Sequence, residues 1–129
     1  MTASINNKPR VFCVEDNIIN MDLLLAFLEP FNIEVLTSYD GRDAVKKALE
    51  NPDICVILLD ISLPGIDGVE VFKRLKSDKK TMNIPVIAVT AHAMSGNRER
   101  LLSIGFNDFI EKPIDKSILY EKLNKYIGN

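Results

Sequence analysis

Strand-like and helix-like segments alternate five times along this chain of 129 residues, which predicts an α/β fold: one five-stranded parallel sheet with helices on both faces. Two further observations support that class. Ile54 to Leu59 is a run of six apolar residues, the pattern of a strand buried on both faces at the centre of a parallel sheet. The composition, 47% hydrophobic and 26% charged, supplies one ordinary core in a chain with room for one domain. A charge ends the apolar run. Asp60 therefore falls at the carboxyl end of a central strand, where open α/β sheets bind their ligands.

Residues 1–8 carry no periodicity and read as a flexible N-terminal arm, leaving 9–129 as the domain. Val11 to Val14 forms the first strand and ends in Glu15-Asp16. Asn17 then caps a helix through Leu23, Leu24, Phe27 and Leu28 that stops at Pro30. Ile33 and Val35 mark the second strand. Asp40 opens the second helix, with Asp43 in its first turn and Ala44, Val45, Ala48 and Leu49 as its apolar stripe. After Asp60, the segment Ile61-Ser62-Leu63-Pro64-Gly65-Ile66 is a loop. Asp67 and Glu70 then have the spacing of a capping box, and Val69, Phe72 and Leu75 share one face of the third helix.

Ile84 to Val89 is the fourth strand, with Pro85 near its start, where a missing N–H is best tolerated, and Thr90 at its end. A helix from about Ser95 stops at Gly105, a residue suited to a left-handed cap. Phe106 to Ile110 is a short fifth strand followed by Glu111-Lys112-Pro113. Asp115 caps a last helix whose Ile118, Leu119, Leu123 and Ile127 pack inward. Right-handed crossovers between parallel strands then lead to the flavodoxin-like order 2-1-3-4-5.

Sixteen basic and eighteen acidic residues are well mixed and give a net charge of -2, so nothing calls for nucleic acid or an anionic membrane as partner. No apolar run reaches the roughly 20 residues that span a bilayer, and the N-terminus is not signal-like, so a cytoplasmic protein is expected. Cys13 and Cys55 lie in apolar runs and read as reduced, buried thiols; with one histidine in the chain they do not make a zinc set.

The chemistry gathers at the strand ends. Glu15-Asp16, Asp60, Thr90 and Lys112 follow the first, third, fourth and fifth strands, and parallel pairing brings all of them to one edge of the sheet. Three carboxylates held together repel one another until a cation relieves them. Oxygen donors select a hard ion, so Mg²⁺ is the expected metal, with Mn²⁺ as the alternative. Lys112 and Thr90 add positive charge and a hydroxyl, which suit the oxygens of a phosphoryl group. A carboxylate can also be the nucleophile in phosphoryl transfer, and Asp60 is the central candidate.

Val14-Glu15-Asp16-Asn17, Leu59-Asp60 with Leu63-Pro64-Gly65-Ile66-Asp67-Gly68, Pro85 to Ala91, and Lys112-Pro113 together resemble the receiver domain of two-component response regulators, from about Pro9 to Gly128. The resemblance implies a phosphoacceptor signalling switch. Asp60 would take a phosphoryl group from a histidine kinase or histidine phosphotransfer protein. Asp16, Asp60 and the backbone carbonyl of Ser62 would hold Mg²⁺, with Glu15 acting through water. Thr90 and Lys112 would bind the phosphoryl oxygens, and Lys112-Pro113 would be a cis bond.

By the same resemblance, Phe109 would hold the switch position that turns inward with Thr90, and Ser62 and His92 would flank the phosphoryl group and tune its lifetime. The face of the fourth helix, fifth strand and fifth helix would contact a downstream protein. The chain would catalyse only its own phosphorylation and dephosphorylation, as a monomer or weak dimer without an output domain. A native single-domain regulator and a receiver excised from a hybrid kinase both fit.

Each residue alone also has a plainer reading. Glu15-Asp16 can simply cap a helix, Thr90 can be a turn residue, Lys112 a solvated charge, Phe109 a core aromatic and His92 an exposed junction residue. Two other functions share the fold. A flavin or nucleotide carrier needs a glycine- or hydroxyl-rich loop after the first strand, where this chain has Glu15-Asp16. An aspartate-nucleophile phosphatase usually has a second acid two residues after the nucleophile, and here that residue is Ser62.

Overall fold

The computed structural model describes residues 8–91 and 95–127; the expected arm therefore lies almost wholly outside the described residues, as does His92. Ten elements alternate: β1 (Arg10–Val14), α1 (Ile18–Leu28), β2 (Glu34–Ser38), α2 (Gly41–Glu50), β3 (Val56–Asp60), α3 (Gly68–Lys76), β4 (Val86–Thr90), α4 (Ser95–Ile104), β5 (Asp108–Glu111) and α5 (Lys116–Asn124). The strands form one parallel sheet in the order β2-β1-β3-β4-β5, as the alternation predicts. Every residue of β3 and β4 is buried. The two edge strands are more exposed, in keeping with one unpaired side each.

Strand side chains alternate between faces, and each face has its own core. Phe12, Val14, Ile57 and Leu59 pack with Ala44, Ala48, Phe72, Leu75 and Leu101 on the side of α2, α3 and α4. Val11, Cys13, Leu58 and Ile87 pack with Met21, Leu24, Leu28, Leu119 and Leu123 on the side of α1 and α5. Cys13 is fully buried, and loss of hydration pushes its thiol pKa up to about 12. Cys55 is only partly buried, so the second thiol is less enclosed than its apolar run implies.

Four helices start on the residues that the sequence marks as caps. Asn17, Asp40, Asp67 and Asp115 each accept a backbone N–H from their own first turn, which satisfies donors that have no partner within the helix. The capping box at α3 is only half made: Asp67 accepts from Glu70 N–H, but the Glu70 carboxylate turns forward to Arg74 at 3.0 Å. Gly105 ends α4 with φ +125°, a conformation that side-chain-bearing residues rarely adopt.

Several inward faces differ from the sequence expectation. In α3 it is Val71, with Phe72 and Leu75, that is fully buried, while Val69 is only partly covered. Ile118 of α5 is 44% exposed, because Leu119 and Leu123 fill the space over the sheet. The fifth strand begins at Asp108; Phe106 precedes it and stacks on Phe72, with ring centroids 4.1 Å apart.

Candidate functional site

β1, β3, β4 and β5 end along one edge of the sheet, and their polar termini meet there. Parallel pairing sets Val14 beside Leu59, Asp60 beside Val89 and Thr90 beside Glu111, so each terminal group is fixed by the ladder on either side of it. Asp60 closes β3 at 2% exposure, Glu15 follows β1 at 5% and Thr90 closes β4 at 2%. Asp16 is exposed beside them. One carboxylate oxygen from each of Glu15, Asp16 and Asp60 lies within 4.8 Å of the others, a spacing that can hold a metal ion.

Lys112 reaches into this group from the end of β5. Its Nζ lies 3.0 Å from Glu15 Oε1 and 3.1 Å from Asp60 Oδ2, with the side chain 22% exposed. The same residue's backbone N–H donates to the Thr90 carbonyl at 2.8 Å, which ties the β5 end to the β4 end. Lys112-Pro113 is the cis peptide bond among the described residues.

The other oxygens are held by backbone donors. Asp60 Oδ1 accepts the Ser62 N–H at 2.9 Å, and Glu15 Oε2 accepts the Asn17 N–H at 3.0 Å. Asp60 thus presents one oxygen to its own loop and the other to Lys112. Burial raises the Glu15 carboxyl above its ordinary pKa; the charge of Asp60 adds to this, and the contacts with Asn17 and Lys112 only partly offset it. Burial works to lower Lys112, but its bonds to Glu15 and Asp60 outweigh that and leave it raised, so the ammonium is firmly charged.

Ser62 is itself exposed. Phe109 sits half-buried on β5, with Lys122 Nζ 4.5 Å and the Arg98 guanidinium 5.5 Å from its ring centroid. Both approaches are cation–π contacts.

Sequence reasoning missed these two cations, because residues 98 and 122 share no local pattern with residue 109. It also missed Asn97, whose Nδ2 lies 3.5 Å from Thr90 Oγ. Gly68 belongs to the motif read in the sequence, but its packing role was not read there. A Cβ there would overlap the Asp60 carbonyl oxygen and lie 2.7 Å from Ile61 Cα, so α3 packs directly on the backbone that carries Asp60. An Asp-Gly pair just before an apolar helical stripe was the available signal.

Comparison with known proteins places this geometry. Residues 11–124 match the family model of the response regulator receiver domain. The chain is 42% identical over 120 residues to the polar-differentiation response regulator DivK of Brucella ovis, covering 92% of this chain and 96% of that protein. It is 32% identical to the receiver domain of a sensor histidine kinase from Pseudomonas aeruginosa, with a TM-score of 0.85 and coverage of 95% and 99%. That structure holds a magnesium ion coordinated in its active-site cleft. The receiver domain of Saccharomyces cerevisiae Ssk1, solved with the histidine phosphotransfer protein Ypd1, is 27% identical with a TM-score of 0.84, covering 93% of this chain and 89% of that one. With a match across most of its length, and with its acids, hydroxyl and lysine at the ends of the expected strands, the chain belongs to the response regulator receiver domain family.

Proposed function

We propose that the protein is a signalling switch that accepts a phosphoryl group on Asp60 from a phosphohistidine of a histidine kinase or histidine phosphotransfer protein. The observation that carries the reading is the bridging position of Lys112 between Asp60 and Glu15 inside an acidic trio. A nucleophilic carboxylate needs positive charge at the oxygens of the incoming group, and this arrangement supplies it at a fixed place.

The trio fits Mg²⁺. Its donors are all oxygen, and three carboxylates against one ammonium leave an excess of negative charge that a divalent cation would balance. Asp16 and Asp60 would hold the ion together with the Ser62 carbonyl, and Glu15 would act through water; Mn²⁺ offers the same hard-acid chemistry. When bound, the ion would neutralise phosphoryl oxygens and permit close approach of the donor.

A carboxylate oxygen of Asp60 attacks phosphorus as the phosphorus–nitrogen bond to the donor imidazole breaks. The bonding electrons leave with the imidazole nitrogen, and the product is an aspartyl phosphate. Lys112 and Thr90 bind its oxygens. Thr90, drawn toward the phosphoryl group, leaves room for Phe109 to turn inward, and the face of α4, β5 and α5 changes its contacts with a downstream protein. The exposed Leu102 on α4 and Ile118 on α5 give that face apolar contact points. Ser62 and His92 stand two residues after Asp60 and Thr90 in the chain, where they would control water access and phosphate lifetime.

The test is incubation with Mg²⁺ and acetyl phosphate, followed by intact-mass measurement. Stoichiometric, base-labile uptake that vanishes in Asp60→Asn and with EDTA is the expected result. Absence of uptake by the wild type with Mg²⁺ present overturns the reading.

A further inference from the structure

β5 is an outer edge of the sheet, so alternate residues along it turn their N–H and C=O groups away from β4, where no strand receives them. Side chains serve Phe109 instead. Asp108 Oδ1 accepts the Phe109 N–H at 2.8 Å. Lys122 Nζ on α5 donates to the Phe109 carbonyl at 2.6 Å and to Asp108 Oδ1 at 2.8 Å. The ammonium is therefore fixed by the β5 main chain and the Asp108 carboxylate, not by the ring beside it.

That fixed ammonium stands 4.5 Å from the centroid of the Phe109 ring, and the Arg98 guanidinium of α4 stands 5.5 Å from it. Blunting a sheet edge needs only the hydrogen bonds. It gives no reason for cations from two different helices to converge on one aromatic side chain. The Lys122 contact lasts only while the ring stays where it is, because the atoms that tether Lys122 do not move when the Phe109 side chain rotates.

We propose that Lys122, seconded by Arg98, is a positioning residue that holds the Phe109 ring in its resting place and sets the threshold for the inward turn. The proposal rests on the reading that Phe109 turns inward when Asp60 carries a phosphoryl group. Turning the ring away forfeits the attraction of both cations, so the inward state is less populated at rest than it would be without them. A ligand that favours the inward state then binds more weakly in proportion.

The test uses beryllofluoride with Mg²⁺ as a mimic of the phosphoryl group and measures its affinity by titration. para-Fluorophenylalanine at position 109 reports the exposure of the ring through its ¹⁹F solvent isotope shift. In the otherwise native chain, saturation should bury the ring. Lys122→Met should bind beryllofluoride about threefold to fivefold more tightly, and Lys122→Arg, which keeps a cation at the ring, should stay within about twofold of the wild type. Loss of a positive charge would by itself weaken an anion, so the sign separates this role from general electrostatics. A trifluorinated phenylalanine at position 109 leaves every hydrogen bond in place and weakens the negative face of the ring. It should tighten binding about threefold, and by less in a Lys122→Met background. No saturable binding by the native chain, or saturation without burial of the ring, would remove the inward turn and the proposal together. Burial of the ring with unchanged or weakened affinity in folded Lys122→Met protein, or in the trifluorinated one, would overturn the role of Lys122 and leave the turn standing.

Discussion

Replacing Lys112 with methionine keeps the length of the side chain and removes its charge, leaving Glu15, Asp16 and Asp60 to face one another. With carboxylate oxygens within 4.8 Å, two unit charges at an effective dielectric of about 20 repel by about 3.5 kcal/mol. Asp16 is exposed and Lys112 is 22% exposed, so solvent screens part of that. A net loss of about 2 kcal/mol in folding free energy follows in EDTA, below the full cost of breaking a dry ion pair.

Saturating Mg²⁺ should largely restore the variant. A ligand that binds only the folded chain adds about 2.7 kcal/mol at a concentration 100 times its dissociation constant, and the site without Lys112 should hold a divalent cation more tightly than the wild type. Paired urea titrations of both proteins, in EDTA and in excess MgCl₂, measure the two differences. Equal losses in the two media would mean that Lys112 contributes packing rather than neutralisation. No loss in EDTA would mean that the acids are already screened. Either result refutes the reasoning.

Gly68→Ala forces a Cβ into the Asp60 carbonyl and the Ile61 Cα, so it should cost about 1–3 kcal/mol in thermal or urea unfolding and slow phosphoryl uptake as well. Phe72→Ala removes the partner of Phe106 from the core and should cost about 3–5 kcal/mol in the same titration. Asp43 has its pKa held below the ordinary 3.8, first by the Ser38 hydroxyl at 2.7 Å and then by Lys47. A lowered folded-state value means stability that is present above about 3.8 and lost as pH falls through the lower folded value. Asp43→Asn should therefore be less stable than the wild type near neutrality, and the gap in melting temperature should narrow as the pH falls below 3.8.

The sheet and its polar edge were legible because their signals are local. An apolar run ended by Asp60, and polar residues directly after Val14, Val89 and Glu111, state both the strand and its terminus. The caps Asn17, Asp40, Asp67 and Asp115 were readable for the same reason: a short polar side chain bonds to its own next turn. Helix faces were harder. Ile118 and Leu119 both suit a buried position, and only the place of α5 over the sheet selects Leu119. Phe106 lies just ahead of Phe109 and Ile110 in the chain yet packs on Phe72 from a loop, a contact between residues 34 positions apart that no periodicity encodes. The surroundings of Phe109 were invisible for a related reason, since Arg98 and Lys122 come from two helices on either side of β5.

Lys112 directly follows the fifth strand of the domain, and that strand is an outer edge of the sheet. During translation, Asp60 leaves the ribosome about fifty residues before the lysine that will neutralise it. A nascent or truncated chain therefore carries Asp60 before the ammonium that lies 3.1 Å from it in the folded domain. Because domains fold largely as units once enough chain has emerged, the Asp60–Lys112 pair forms only when β5 docks. On the proposed function, a domain lacking β5 would hold Asp60 without its paired ammonium and would take up no phosphoryl group.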